Sequence, residues 1–341
     1  MNAYELTRAL VDIESITENE GPVAAYLHDH LAKLAARTDG RAQRMEVEPG
    51  RFNVLAAWGQ PVVTLSTHMD TVPPFFPSRE DAEFIWGRGA CDAKGIIAAM
   101  VEAAEKLLGE GVRNFAVLFV VGEERNSAGA SVAAQAPCGS KYLVNGEPTE
   151  NKLVLASKGI LRYEVVARGT MAHSAYPELG ESAIDALLDA LQAIRIVPLP
   201  SDALLGPCTM NIGTISGGRA PNVIADAAKA EILVRLVGDA APIREAFMRA
   251  VGKRVELVEI LCLPPVRFAS VDGMPTTVVS FTTDVPVFGK TWGEPLLLGP
   301  GSIHVAHTSQ ERISKRELTD AVEMYAEVVR KLLAKNSGTR Q

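Results

Sequence analysis

Val62-Val63-Thr64-Leu65-Ser66 runs without a break into Thr67-His68-Met69-Asp70. The same layout recurs twice downstream. Phe115-Ala116-Val117-Leu118-Phe119-Val120-Val121 leads into Gly122-Glu123-Glu124, and Tyr142-Leu143-Val144 leads into Asn145-Gly146-Glu147. Short continuous apolar runs read as strands buried on both faces. Between them, residues 3–13, 21–36 and 94–108 carry apolar side chains at helical spacing. Strands alternating with helices predict an α/β domain whose central sheet is covered on both faces. Ligand sites in such sheets form beyond the carboxyl ends of the strands, and all three acid clusters fall there.

The middle of the chain reads differently. Residues 161–167 are expected as a strand, 181–194 as a helix, 209–216 and 227–237 as strands, 243–251 as a helix and 256–262 as a strand. That order, β-α-β-β-α-β, is the ferredoxin-like pattern. The chain then returns to α/β character and ends on a helix over 315–333. An α+β insertion, residues 158–269, is therefore expected within a discontinuous domain made of residues 1–157 and 270–341.

The bulk properties narrow the class. At roughly 100–200 residues per domain, 341 residues suggest about two domains. Lys plus Arg is 34 against 41 for Asp plus Glu, a net charge of −7, which leaves no basic footprint for nucleic acid. No apolar stretch reaches about 18 residues, so no membrane span is expected. Residues 96–107 come closest, and Glu102, Glu105 and Lys106 interrupt them. The first residues lack the basic-then-apolar layout of a secretion signal. Cys91, Cys138, Cys208 and Cys262 are scattered, with no Cys-x-x-Cys pair. They build neither a disulfide framework nor a zinc finger, and a reducing compartment, the cytoplasm, is expected.

The acids and histidines carry the chemistry. His68 and Asp70 are two apart, so in extended chain they share a face. A metal-bound histidine donates its other ring N–H to an acceptor such as a carboxylate, and Asp70 suits that role. A histidine satisfied at a strand end has the same pattern. At a buried edge, Glu123 and Glu124 would repel each other and suffer desolvation. A divalent ion on one would leave the other free as a base; a solvated acidic turn before a helix is the other reading. Asp92 lies in Gly87-Arg88-Gly89-Ala90-Cys91-Asp92-Ala93-Lys94-Gly95, either in a tight ligand-shaping turn or as the cap of the following helix. That run lacks the third glycine of the dinucleotide fingerprint, and no Walker A sequence is present. Residues 299–311, Gly299-Pro300-Gly301-Ser302-Ile303-His304-Val305-Ala306-His307-Thr308-Ser309-Gln310-Glu311, form a loop whose backbone N–H groups can approach a ligand. Cys91 has no evident partner base and is not taken as a nucleophile.

Together these stretches resemble the di-zinc amidohydrolases of the acetylornithine deacetylase and succinyl-diaminopimelate desuccinylase group, which includes aminoacylases and carboxypeptidases. Segments 66–73, 87–95, 122–124, 146–149 and 299–311 follow in family order and span most of the chain. The resemblance implies a zinc-exopeptidase-like catalytic domain with a mixed central sheet. It assigns His68, Asp92 and Glu147 to one zinc and Asp92, Glu124 and His307 to the second, with Asp92 bridging. Glu123 would be the general base and Asp70 the partner of His68. His307 is preferred to His304 because His-Thr-x-x-Glu matches the family's last motif, leaving His304 to the loop or pocket wall. Oxygen and nitrogen donors without thiolate suit a catalytic zinc, and cobalt or manganese also.

The insertion resembles the family's lid or dimerisation domain. Gly169-Thr170-Met171-Ala172-His173-Ser174-Ala175 is similar to a motif whose histidine reaches the other subunit's site and binds the developing oxyanion. Gly217-Gly218-Arg219-Ala220-Pro221-Asn222-Val223-Ile224 resembles the substrate-binding Asn loop, here Asn222. Arg235 aligns with an arginine that binds the substrate carboxylate, for which a planar guanidinium offers a bidentate clamp. Gly299 and Gly301 would help hold the same end of the substrate. Ala93 and Ile96 depart from the family's usual residues, and the insertion is short. The implied protein is a cytoplasmic homodimeric deacetylase of amino-acid biosynthesis. It would cleave the amide of an N-acyl amino acid, acetylornithine- or acetyl-lysine-like. A di-zinc exopeptidase acting on dipeptides is the rival of the same class, and a non-catalytic dimeric binding protein the rival of another class.

Overall fold

The sheet opens on a hairpin. In the computed structural model, which describes residues 1–338, Arg41–Glu48 pairs with Arg51–Trp58 as an outer strand. Only Met45 of that outer strand is buried, because charged side chains line an exposed edge. The described chain divides into two compact units: Met1–Leu155, Phe268–Thr277 and the chain from Thr283 onward in one, Ala156–Arg267 with Val278–Thr282 in the other.

In chain order the main elements are α1 (Ala3–Val11), α2 (Gly21–Arg37), β1 (Arg41–Glu48), β2 (Arg51–Trp58), β3 (Val63–His68), α3 (Gly95–Gly109), β4 (Phe115–Val120), α4 (Ala128–Gln135) and β5 (Tyr142–Asn145). The second unit contributes β6 (Gly159–Arg168), α5 (Ala183–Arg195), β7 (Thr209–Gly217), β8 (Ala227–Leu236), α6 (Ala241–Ala250) and β9 (Val255–Leu263). The chain returns through α7 (Val285–Phe288) and β10 (Glu294–Leu297) and ends on α8 (Lys315–Gly338).

The central sheet runs β1-β2-β4-β3-β5-β10. Strands β4, β3, β5 and β10 are parallel, and β1 and β2 are antiparallel to their neighbours, so the sheet is mixed. Both faces are covered. Along β4, Phe115, Val117 and Phe119 join the core built with α1, α2, α3 and α8, while Ala116, Leu118 and Val120 join the smaller core with α4, Phe288 and Trp292. This period-two split explains the unbroken apolar run. Helix α3 buries eleven of its fifteen residues and is apolar almost all round, as an interior helix must be. Helix α1 begins in a capping box: Asn2 accepts the Glu5 N–H, and Glu5 accepts the Asn2 N–H.

Register places the site. His68 pairs with Val120, and Ser66 with Asn145, so β3, β4 and β5 end together along one edge. The residues just past those ends are Asp70, Glu123-Glu124 and Glu147.

The second unit is the expected β-α-β-β-α-β arrangement. Its antiparallel sheet runs β7-β8-β6-β9. Leu161, Val165, Ile232 and Val234 pack in one core with Leu187, Leu191 and Phe247 of α5 and α6. Side chains that alternate with them, among them Arg235, take the other face.

Candidate metal centre and its surroundings

His68, Asp92 and Glu124 each offer a ligand atom, and these atoms lie within 4.8 Å of one another. His68 Nε2 is 2.9 Å from Asp92 Oδ1. His307 Nε2 lies 2.9 Å from Glu124 Oε1 and 3.3 Å from Asp92 Oδ2. Asp92 therefore stands between two imidazoles, one on each carboxylate oxygen. Its backbone is not that of a helix cap. With φ −128° and ψ 88° it sits in an irregular turn, and Lys94 precedes α3 in the capping position. The peptide bond from Asp92 to Ala93 is cis. The cap reading of Asp92 is thus replaced by the tight-turn reading.

Asp70 is fully buried and works mainly through its backbone neighbours. Its Oδ1 accepts the Glu123 N–H at 3.0 Å, and its Oδ2 accepts the Glu124 N–H at 3.1 Å and the Thr17 hydroxyl at 2.9 Å. His68 Nδ1 donates to the Asp70 carbonyl at 3.0 Å, with the carboxylate farther off at 3.5 Å. Nδ1 is thus occupied by Asp70, and Nε2 is the nitrogen that faces Asp92 and the acid cluster.

Charge is concentrated here. Burial, with the Glu147 charge close by, pushes the Glu123 carboxyl well above its ordinary value. Burial does the same to Glu147, with Asp92 and Glu124 adding to it, and raises Glu124 less. Asp92 goes the other way: burial opposes ionisation, but its bonds to His307 and His68 hold it low. Burial opposes charging His68, yet Asp70 and Asp92 carry its pKa well above normal. Contacts with Asp92 and Glu124 lift His307 to about 10. Glu147 is 5% exposed, and its Oε1 has no hydrogen-bond partner among the described residues. A buried set of oxygen and nitrogen donors with an orphaned oxygen and mutually repelling acids fits a divalent cation.

Sequence reasoning missed several residues around this cluster. Glu311 and Arg88 form a buried ion pair at 2.6 Å under the Asp92 turn. The last-motif glutamate was visible, but its partner lies 223 residues away. Asp284 is buried near the same acids, and burial lifts its carboxyl to about 7. Gly299 and Gly301 are closely packed. A Cβ on Gly299 would lie 2.5 Å from the Glu147 carbonyl oxygen, and one on Gly301, at φ +86°, 2.6 Å from Cys91 Sγ. The Gly299 N–H is also committed, donating to Thr149 Oγ1 at 3.0 Å. Cys91 is fully buried, and burial pushes its thiol well up, which removes it as a nucleophile. His304 is exposed on the loop.

In the second unit, His173 and Asn222 are neighbours. His173 bridges Val223, and the Ser174 N–H donates to the Asn222 carbonyl at 3.0 Å. The Ala175 N–H donates to His173 Nδ1 at 3.1 Å, so the ring's proton sits on Nε2, which is free to donate. Arg235 makes one long contact, 3.4 Å to Thr282 Oγ1, and pairs with no carboxylate among the described residues.

The model of peptidase family M20/M25/M40 matches residues 64–331. The chain belongs to that family. A peptidase M20 domain-containing protein of Schizosaccharomyces pombe is 36% identical over 338 residues, covering 96% of this chain and 84% of that one. A probable carboxypeptidase of Aspergillus flavus is 36% identical over 369 residues, covering 94% and 85%. Among solved structures, an M20 family metallo-carboxypeptidase from Sulfolobus solfataricus aligns with TM-score 0.77 over 97% of this chain and 99% of that one, at 17% identity, a likeness of fold. The M20 chain is thus a metallopeptidase-type hydrolase with a candidate metal site. No helix among its described residues is long and apolar enough to cross a membrane.

Proposed function

We propose that this M20 protein hydrolyses the amide bond of an N-acyl amino acid, with acetylated ornithine- or lysine-like compounds as first candidates. The carrying observation is the buried cluster of His68, Asp92, Glu124 and His307 beside the unpartnered Glu147 oxygen. It supports two cations, zinc first and cobalt next. His68, Asp92 and Glu147 would hold one, and Asp92, Glu124 and His307 the other. When bound, the cations would acidify a water and polarise the scissile carbonyl.

The chain's own groups supply the rest. Glu123 takes the water's proton and passes it to the leaving amine, a role suited to a carboxyl whose basicity is raised by burial and by the neighbouring Glu147. Asp70 fixes the main chain of Glu123 and Glu124, so the base and its neighbouring ligand keep their spacing. Arg235 and Asn222 would hold the substrate carboxylate; an arginine with no carboxylate partner among the described residues fits that task. Gly299 and Gly301 let the loop carrying His307 lie close to Glu147 and Cys91. In a homodimer, His173 of the partner subunit would donate to the oxyanion. Four free cysteines suit a cytoplasmic setting.

A second reading has its own support. Relatives at 36% identity are named as probable carboxypeptidases. A carboxypeptidase cuts the same bond, an amide next to an amino acid with a free carboxylate, but takes a peptide as the acyl part. Purified protein should carry two metals per chain and turn over N-acetyl or N-succinyl amino acids faster than dipeptides. The reverse preference would select the exopeptidase reading. Glu123→Ala should keep its metal and lose nearly all turnover. A metal-loaded variant that still turns over would remove Glu123 as the base, and folded protein with no metal and no turnover would favour a binding protein.

A further inference from the structure

Glu311 is 1% exposed and lies four residues beyond His307. Its Oε1 accepts three backbone N–H groups, from Gly89 at 2.9 Å, Cys91 at 3.2 Å and Asp92 at 3.1 Å. Its Oε2 takes the Arg88 guanidinium at 2.6 Å. Arg88 is itself buried, donates to the Pro74 carbonyl at 3.2 Å and lies over the Phe76 ring. The Gly87 N–H closes the arrangement on the Glu311 carbonyl at 3.2 Å. Clustered N–H groups of an irregular turn form an anion-binding concavity. Here the anion is a side chain of the same molecule.

The consequence is geometric. Asp92 and His307 come from segments 215 residues apart, yet Oδ2 and Nε2 meet at 3.3 Å. His307 sits on an exposed loop at φ +60°, five residues from the Thr149–Ser302 bridge on one side and from the Arg312–Trp86 pair on the other, and is itself in neither pairing. His68, in contrast, ends β3, and Glu147 follows β5, so sheet pairing fixes both without help from Glu311. We infer that Glu311 is a positioning residue that locks the Asp92 turn to the His307 loop and so sets the cation position shared by Asp92, Glu124 and His307. The position formed by His68, Asp92 and Glu147 depends on it less. This inference rests on the two-cation reading above.

Cobalt(II) titration of the metal-free protein, followed by visible absorbance and equilibrium dialysis, tests it. Wild type should bind two equivalents in two phases. Glu311→Asp keeps the charge for Arg88 but withdraws the acceptor from the three N–H groups. It should weaken the second phase at least about tenfold while the first stays near wild type. Glu311→Gln keeps the reach and loses the charge, so its second phase should stay closer to wild type. Melting of the metal-free variants checks that both are folded. An unchanged second phase in Glu311→Asp, equal loss in both phases, or Glu311→Gln proving worse than Glu311→Asp would overturn the inference. Wild type that takes up no cobalt would instead sink the two-cation reading, and this inference with it.

Discussion

Lys94 shows what a single buried charge does to this fold. It is 1% exposed and donates one hydrogen bond, at 2.7 Å, to the Ile13 carbonyl. Burial lowers its pKa to about 7, partly offset by Glu311, Asp12 and Glu14. An unfolded lysine titrates near 10.4, so between pH 7 and 10 the unfolded chain holds the proton and the folded chain has lost it. Stability from this group is then complete above the unfolded pKa and is lost as pH falls through about 7. Relative to Lys94→Met, wild-type unfolding free energy should rise between pH 7 and 10, with a slope of up to about 1.4 kcal/mol per pH unit. Urea unfolding of the two proteins at matched pH measures it, and parallel curves would refute the assignment. At this scale the sequence was readable where chemistry sits at strand ends: His68, Asp70, Glu123, Glu124 and Glu147 announce themselves by position. Glu311, Arg88 and Asp284 do not, because their meaning lies in contacts made across hundreds of residues.

Strands and helices repeat that lesson. β3 and β4 were plain because each is buried on both faces. β1 was hidden by its charged edge, and α4 by a short, alanine-rich sequence with a weak apolar face. What holds α4 is close approach. Asn53 accepts the Val121 N–H at 3.1 Å and donates to the Gly129 carbonyl at 2.8 Å, while the Gly129 N–H reaches the Val121 carbonyl at 2.9 Å. A Cβ on Gly129 would lie 2.4 Å from Asn53 Oδ1 and 2.5 Å from the Val121 carbonyl oxygen. Both are held in place, so the helix must move away from Val121, one residue before Gly122-Glu123-Glu124. Gly129→Ala should cost about 1–3 kcal/mol despite alanine's better helix propensity. Ser131→Ala, at an exposed site of the same helix, should be neutral or slightly stabilising. Equal unfolding midpoints for the two variants would show that the gap at Gly129 is not needed.

For the molecule as a whole, the candidate residues fall into two units. The acids and imidazoles of the candidate metal centre belong to the first, and His173, Asn222 and Arg235 to the second. Each unit's fold was legible because its order of elements differs: apolar strands alternating with helices in one, β-α-β-β-α-β in the other. Whether a residue serves a second subunit leaves no periodic trace in a sequence, and only the motif around His173 suggested that role. The geometry within the second unit adds a physical argument, since the Ala175 N–H holds Nδ1 and leaves the Nε2 proton as the donor of an exposed side chain. If that donor serves the partner's site, Glu123→Ala and His173→Ala should each be inactive alone and recover when mixed. A mixed dimer has one site with both groups intact and one with neither. Random exchange makes half the dimers mixed, so the expected recovery is roughly a quarter of wild-type turnover. The readout is steady-state turnover after exchange, with mixed dimers verified by differently tagged chains. Mixed dimers without turnover would place His173 in the service of its own subunit, because then no pairing of these two chains ever brings an intact Glu123 and an intact His173 to one substrate.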